Sequence, residues 1–208
     1  MTGAASLGAV ILAGGRGARV SGAVKPLFEV GGATLLRKAV ASVAAVGAHP
    51  IVVAAPVLDE SLDVEWVRED PPFGGPVAGI VAAFDRDDLW ADAPQWTFVL
   101  ACDLPQVASA VAVLRDAVAL LPADTDGACL ADPSSRPQWL TGVYRTATLR
   151  AAARSVPSGG RDAPVRDLVA DLAIAALTVP ADLTADIDTW EDLHRARAAA
   201  GDPPLEDS

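Results

Sequence analysis

Lysine, cysteine, aromatic residues and long apolar runs are all scarce in this sequence. Of its 16 basic residues only Lys25 and Lys38 are lysines, and the net charge is −11. So acidic a chain repels duplex nucleic acid and anionic membranes, so neither is expected as a partner, and any anionic ligand must be caught by a local group of cations. The two cysteines, Cys102 and Cys129, form no CxxC pair and join no histidine cluster. That excludes a disulfide framework and a zinc site, and it fits a reducing cytoplasm. No uninterrupted apolar run approaches the ~20 residues of a membrane span. The apolar start at 7–13 has no basic leader and runs into Gly14-Gly15-Arg16, so it reads as a buried strand and not as a signal peptide. Aromatic residues make up 5%, and the five tryptophans show no stacking pattern. They read as packing, and His49 and His194 read as structural.

What is plentiful is apolar residue in short runs. Hydrophobic residues are 51% and charged residues 21% of 208 positions, ordinary values for a folded globular chain. That length suits one domain burying roughly 70% of the surface its unfolded chain exposes. A single domain over 1–200 is expected, with a frayed acidic tail at 201–208.

Short apolar runs alternate with longer periodic segments. Strands are predicted at 9–12, 51–54, 64–67, 97–101, 128–130, 140–144 and 174–179. Several are apolar on both faces, which places them inside a sheet covered by helices on both sides. Helices are predicted from Thr34 to about Val46 with Gly47 as a stop, from Pro76, at 107–121, 145–154 and 165–172, and at 189–200 behind Thr189-Trp190-Glu191-Asp192, a capping box with Asp in place of Glu. Residues 85–92 read as an acidic solvated turn. Asp132-Pro133-Ser134-Ser135-Arg136-Pro137 reads as a tight connection between two strands. The fold class is therefore α/β, a three-layer α/β/α domain with a mostly parallel sheet and an antiparallel edge.

Open α/β sheets bind ligands at the carboxyl ends of their strands. Four segments fall there: the loop 14–25, residues 70–75, Cys102-Asp103-Leu104-Pro105, and Asp186-Ile187-Asp188. The first is not a dinucleotide fingerprint, because Val20 stands where the third glycine belongs, and not a P-loop, because Lys25 is followed by Pro26. It remains a long glycine-rich loop carrying Arg16, Arg19 and Lys25, long enough to wrap a triphosphate. Asp103 ends a strand with no other charge, so its carboxylate emerges at the rim, where a Mg²⁺ ligand belongs; a helix N-cap before Val107 is the plainer reading. Asp188 is either a second metal ligand or an acid favoured by the following helix. Asp70 either holds a hydroxyl or ring N–H or ends a strand. Gly74-Gly75-Pro76-Val77-Ala78-Gly79 opens a helix whose bare N–H groups can face a phosphate or flat ring.

Taken together, Leu12-Ala13-Gly14-Gly15 with Arg19 and Lys25-Pro26, Asp70 with Gly75-Pro76-Val77-Ala78-Gly79, Cys102-Asp103-Leu104-Pro105 and Asp188-Thr189-Trp190-Glu191-Asp192-Leu193 resemble the nucleotidyltransferases that build molybdenum-cofactor dinucleotides, the molybdenum cofactor guanylyltransferases in particular. The resemblance covers 7 to about 195, with the motifs in the family's order. It implies a Rossmann-like nucleotidyltransferase domain that transfers GMP from GTP to the phosphate of molybdopterin or molybdenum cofactor, with Mg²⁺ required and pyrophosphate released. It also implies roles. Leu12, Ala13, Gly14, Gly15, Arg16, Lys25, Asp70, Gly75 and Pro76 would bind nucleotide, Arg19, Lys25 and Asp103 would serve catalysis, and Asp103 with Asp188 would hold the metal. Gly159-Gly160-Arg161 resembles a family loop near the acceptor; Arg136, Gln138 and Arg161 read either as acceptor contacts or as plain surface residues, and molybdoenzyme maturation proteins would be transient partners.

The chain departs from the family at three places. It has Arg19-Val20-Ser21 where Arg-Met-Gly is usual, Val24 where an acid precedes the lysine, and Ala54-Ala55-Pro56 where guanylyl members place an asparagine. Gly14-Gly15 points to guanine and the missing amide points away from it, which leaves GTP and CTP both open. Two alternatives stand beside this reading: a cytidylyl or other nucleotidyltransferase acting on an acceptor such as a phospho-sugar, and a non-catalytic nucleotide- or pterin-binding module.

Overall fold

The structure is a computed structural model describing residues 5–15 and 22–203. It opens with β1 (Leu7–Leu12), a 3₁₀ turn at Lys25–Leu27, the two-residue strands β2 (Glu29–Val30) and β3 (Ala33–Thr34), and α1 (Leu35–Ala45). There follow β4 (Ala48–Ala54), β5 (Glu65–Val67), α2 (Pro76–Phe84), β6 (Trp96–Ala101) and α3 (Val107–Val118). The second half holds β7 (Gly127–Ala131), β8 (Pro137–Arg145), α4 (Thr146–Ser155), α5 (Val165–Leu168), β9 (Ile174–Thr178) and α6 (Trp190–Ala200).

Seven strands form one sheet in the order β5-β4-β1-β6-β8-β7-β9. Strand β1 lies inside it, parallel to both β4 and β6. Its alternate side chains explain why it is apolar throughout. Leu7, Ala9 and Ile11 enter a core with Leu36 and Val43 of α1 and Val111 and Leu114 of α3, while Val10 enters a second core with Val77 and Ile80 of α2 and Leu149 of α4. The three-layer α/β/α arrangement follows from those two faces.

The hairpin at 132–137 is present, but its antiparallel strand is not an edge. Strand β8 pairs antiparallel with β6 on one side and β7 on the other, and the outer strands β5 and β9 are each parallel to their neighbours. Burial accounts for the difference. Thr141, Val143 and Tyr144 are buried, which an edge does not provide, whereas β9 is half-exposed along its length. Helix α5 ends at Leu168, short of the 165–172 expected.

The β2–β3 ribbon has no counterpart in the sequence reading. Its turn is Gly31-Gly32, with φ of 63° and 74°, a backbone a two-residue hairpin loop demands and glycine adopts without strain. Thr34 then caps α1 by accepting from the Arg37 N–H. At the other end, the expected capping box forms, with Thr189 and Asp192 each bonding the other's backbone N–H. The chain stays tied beyond residue 200: the Asp202 carboxylate accepts from Gly31 N–H at 2.6 Å and Arg197 donates to the Pro203 carbonyl at 3.3 Å. A small third core of Val30, Leu35, Ile187 and Leu193 joins ribbon, α1 and α6.

Candidate active site

A cleft of about 530 Å³ opens over the carboxyl ends of β1, β4 and β6. Its inner wall is Leu12, Ala13, Gly14 and Gly15 running off β1, beside Ala54 of β4 and Ala101 to Asp103 off β6. Helix α2 closes one side with Gly75, Pro76 and Gly79. Gly79 is what lets the helix sit there, because a Cβ at that position would lie 3.1 Å from a Leu12 methyl and 3.2 Å from the Ala54 Cβ. The opposite side is 23–26 with Asp188.

Charge gathers at the Lys25 end. The Lys25 Nζ donates to Asp188 Oδ1 at 2.7 Å, and the two side chains are 17% and 35% exposed, so the pair faces the cleft rather than open solvent. Asp103, Asp186 and Asp188 each offer a carboxylate oxygen, all within 4.8 Å of one another. The segment 186–188 is fixed by its centre. Ile187 is fully buried in the third core, and its N–H donates to the Asp103 carbonyl at 3.0 Å. With Ile187 buried, the acids on either side of it turn toward Asp103.

Burial, and then the Asp186 carboxylate, push Asp103 up from 3.8 to about 6; Lys25 opposes them. Asp186 is also raised, by burial first and by Asp188 second. Asp192 behaves oppositely and is held low by the Thr189 hydroxyl and backbone, because its task is to cap α6. The Cys102 thiol lines the cleft, but burial pushes it up so far that it is no nucleophile.

The structure therefore brings Leu12, Ala13, Gly14, Gly15, Lys25, Gly75, Pro76, Asp103 and Asp188 together around one cleft. Asp103 is not a helix cap, since Gln106 occupies that position. Arg16 and Arg19 lie outside the described residues. Asp70 is exposed and off the lining, where its neighbour Glu69 stands instead. Arg136 and Gln138 sit on the β7–β8 hairpin and do not line the cleft; Leu140 of β8 does. Arg161 lines a separate crevice beside α4, its stem packed behind Gly74. Asp186, Glu69, Phe73 and Leu140 are the site residues that the sequence reading assigns no role. Asp186 was legible from its two-residue spacing to Asp188 around an isoleucine. The others come from tertiary placement.

Residues 9–175 match the MobA-like NTP transferase domain. The chain is 33% identical over 162 residues to a probable molybdenum cofactor guanylyltransferase of Synechococcus elongatus, covering 74% of this chain and 79% of that one. It is 32% identical over 171 residues to the molybdenum cofactor guanylyltransferase of Methylibium petroleiphilum, covering 77% and 81%. Among solved structures, the fold is shared with molybdopterin-guanine dinucleotide biosynthesis protein A of Archaeoglobus fulgidus (20% identity, TM-score 0.63, 93% of this chain and 98% of that one). It is also shared with a Mycobacterium tuberculosis H37Rv protein solved in complex with manganese (21% identity, TM-score 0.66, 94% and 99%). With a match that runs from β1 into β9 and takes in the glycine loop, α2 and the Asp103 rim, this chain belongs to the MobA-like NTP transferase family.

Proposed function

We propose that this protein transfers GMP from GTP to the terminal phosphate of molybdopterin or molybdenum cofactor and releases pyrophosphate. The observation that carries the reading is the meeting of Lys25 with Asp103, Asp186 and Asp188 at the glycine-lined end of the cleft. A cation for phosphate and a carboxylate group for a divalent ion stand side by side there, as transfer at a nucleotide α-phosphorus requires. The bond that forms joins an acceptor phosphate oxygen to the α-phosphorus. The bond that breaks joins that phosphorus to the β-phosphate oxygen, which leaves with the electron pair as pyrophosphate. The relatives named as molybdenum cofactor guanylyltransferases support this choice of donor and acceptor.

The residues fit a Mg²⁺ ion. Three carboxylates within 4.8 Å repel one another; Asp103 and Asp186 are raised by burial first and by a neighbouring acid second, and a hard divalent cation would offset both. When bound there, Mg²⁺ supplies charge neutralisation on the phosphate oxygens. A fold relative solved in complex with manganese supports a divalent ion as part of the reading. The protein's own groups do the rest. Lys25 would exchange Asp188 for the phosphates, the backbone N–H groups of Gly14 and Gly15 would cradle them, and Asp103, Asp186 and Asp188 would hold the metal. Arg16 and Arg19, outside the described residues, would bind phosphate on the same reading. Leu12, Ala13, Gly75 and Pro76 wall the nucleoside, with Asp70 at its edge. Arg136, Gln138 and Arg161 reach the acceptor from outside the cleft.

The cytoplasm is the setting in which Cys102 and Cys129, both buried and unpaired, stay reduced. Transfer to molybdoenzymes then requires transient contact with their maturation proteins. The deciding experiment is pyrophosphate release with Mg²⁺, molybdopterin and each of the four NTPs in turn. GTP alone should support it. Release with CTP alone makes the protein a cytidylyltransferase, and no release with any NTP makes it a binding module.

A further inference from the structure

Far from Lys25 and the acid cluster in sequence, the cleft has one more charged side chain among its described lining residues, and the reaction outlined above gives it no part. It is Glu69, two residues past the end of β5. Around it the cleft is bare of side-chain polarity: Ala54 stands where an amide was expected, and Gly75, Pro76, Gly79 and Leu140 offer no side-chain donor or acceptor. Among the described lining residues of this wall, this carboxylate is the side-chain group equipped to read a base.

Glu69 is half-buried and held in place, whereas Asp70 beside it is exposed. Its Oε1 accepts the Phe73 N–H at 2.9 Å, which closes the 69–73 turn on the side chain itself. Its stem lies against Gly74, where an added Cβ would come 3.7 Å from the Glu69 Cγ. Gly74 is fixed in turn, because its carbonyl accepts the Asp162 N–H at 2.7 Å. One carboxylate site is thus committed to the backbone, and the remaining lone pairs are left to accept. The Phe73 ring also lines the cleft beside the acceptor group, with the Arg68 guanidinium 5.7 Å from its centroid.

Among the four bases, guanine alone presents two adjacent donors, N1–H and the 2-amino group, along its pairing edge. Cytosine and adenine each pair one amino donor with a ring-nitrogen acceptor, and uracil flanks its single N–H with carbonyls. A carboxylate accepts two parallel bonds from guanine and sets an oxygen against a lone pair for each of the others. We infer that Glu69 is the specificity-determining residue of the nucleotide site, accepting from N1–H and the 2-amino group of guanine in place of the missing amide at Ala54-Ala55. The inference rests on the guanylyl-transfer reading for its nucleotide but not for its acceptor.

The test is equilibrium binding of GTP, ITP and CTP with Mg²⁺ and no acceptor, to the full chain and to Glu69→Gln and Glu69→Asp, with thermal melts to show that each variant folds. ITP keeps N1–H and lacks the 2-amino group. The unaltered protein should bind GTP roughly 10- to 100-fold more tightly than ITP, the range expected for one charge-assisted bond. Glu69→Gln, which presents one acceptor and a donor, should bring that ratio close to one. Glu69→Asp, which withdraws the carboxylate, should lower it without a loss of fold. An undiminished GTP/ITP ratio in both variants overturns the assignment, as does loss of the ratio in Asp70→Asn but not in Glu69→Gln. Guanine-selective binding that depends on Glu69 without transfer to molybdopterin would leave this inference standing and remove the acceptor reading. Transfer of GMP with a ratio indifferent to Glu69 would do the reverse.

Discussion

Replacing Asp103 by asparagine should stabilise the metal-free protein while abolishing its activity. Asp103 titrates near 3.8 when unfolded and at about 6 in the fold, chiefly because burial penalises its charge and secondarily because Asp186 repels it. Between those values the folded chain holds a proton that the unfolded chain has released, so stability falls as pH rises through this window. Above it both states are ionised, and the fold carries the whole cost, about 3 kcal/mol at 1.36 kcal/mol per pKa unit. Asparagine keeps the shape and removes the charge.

In excess chelator at pH 7.5, Asp103→Asn should therefore be more stable than the unaltered protein by about 1–3 kcal/mol, which in a chain of this size raises Tm by roughly 3–10 °C. At pH 4 the folded Asp103 is already protonated, and the two proteins should melt much closer together. Adding Mg²⁺ or Mn²⁺ at pH 7.5 should raise the Tm of the unaltered protein and leave the variant's nearly unchanged, because the metal is what the ionised acid is kept for. Differential scanning calorimetry in chelator and in metal at the two pH values reads all of this. A variant less stable than the parent at pH 7.5 in chelator, or one whose advantage persists in full at pH 4, would refute the argument.

Lys25→Ala should lower kcat roughly 10²-fold or more in a pyrophosphate-release assay, the loss expected on removing a preorganised charge at the reacting phosphates. An unchanged rate would show that the cradle is elsewhere. Ile187→Ala empties a fully buried position in the third core and should cost roughly 2–4 kcal/mol in denaturant unfolding. Because Asp186 and Asp188 flank it, the same change should weaken metal binding measured by calorimetric titration, and undiminished affinity would break the link between that core and the acid cluster.

The parts of this site that the sequence announces are those set by local chemistry. A strand apolar on both faces that ends in paired glycines can be placed at a sheet rim without coordinates, and so can a lone aspartate closing β6. Thr189 and Asp192 form their cap because the spacing alone decides it. What fails to show is whatever depends on neighbours chosen across the chain. The hairpin is visible in Asp132-Pro133, yet that β8 enters between β6 and β7 depends on which edge remains open when it arrives, and no local preference records that. The Gly31-Gly32 ribbon is too short to have a period. Asp70 and Glu69 differ by one residue, and only the turn closed by Phe73 N–H decides which of them lines the cleft.

The geometry also explains why chemistry-bearing residues come from opposite ends of the chain. Lys25 opens a 3₁₀ turn with no buried residue of its own, so among the described residues this turn does little to hold its ammonium in the cleft. The constraint comes from the last segment. Asp188 pairs with Lys25, and Ile187 bonds Asp103 and fills the core beneath the β2–β3 ribbon that follows the lysine. Arg197 in the last turn of α6 and Asp202 just beyond it grip the same ribbon through the Glu29 carbonyl and the Gly31 N–H. Lys25, the acids and their supports thus share one mechanical unit built from residues 24–35 and 186–203, laid across the rim of the sheet. On the proposed reading, phosphate at Lys25 would weaken its pairing with Asp188, whose carboxylate has an oxygen within 4.8 Å of those of Asp103 and Asp186. The proposed nucleotide and metal sites would then be coupled through the Lys25–Asp188 pair, each favouring the other, and Asp188→Asn should weaken the effect of Mg²⁺ on GTP affinity more than it weakens GTP affinity in chelator. Equal losses in the two conditions would mean that Asp188 serves only one ligand.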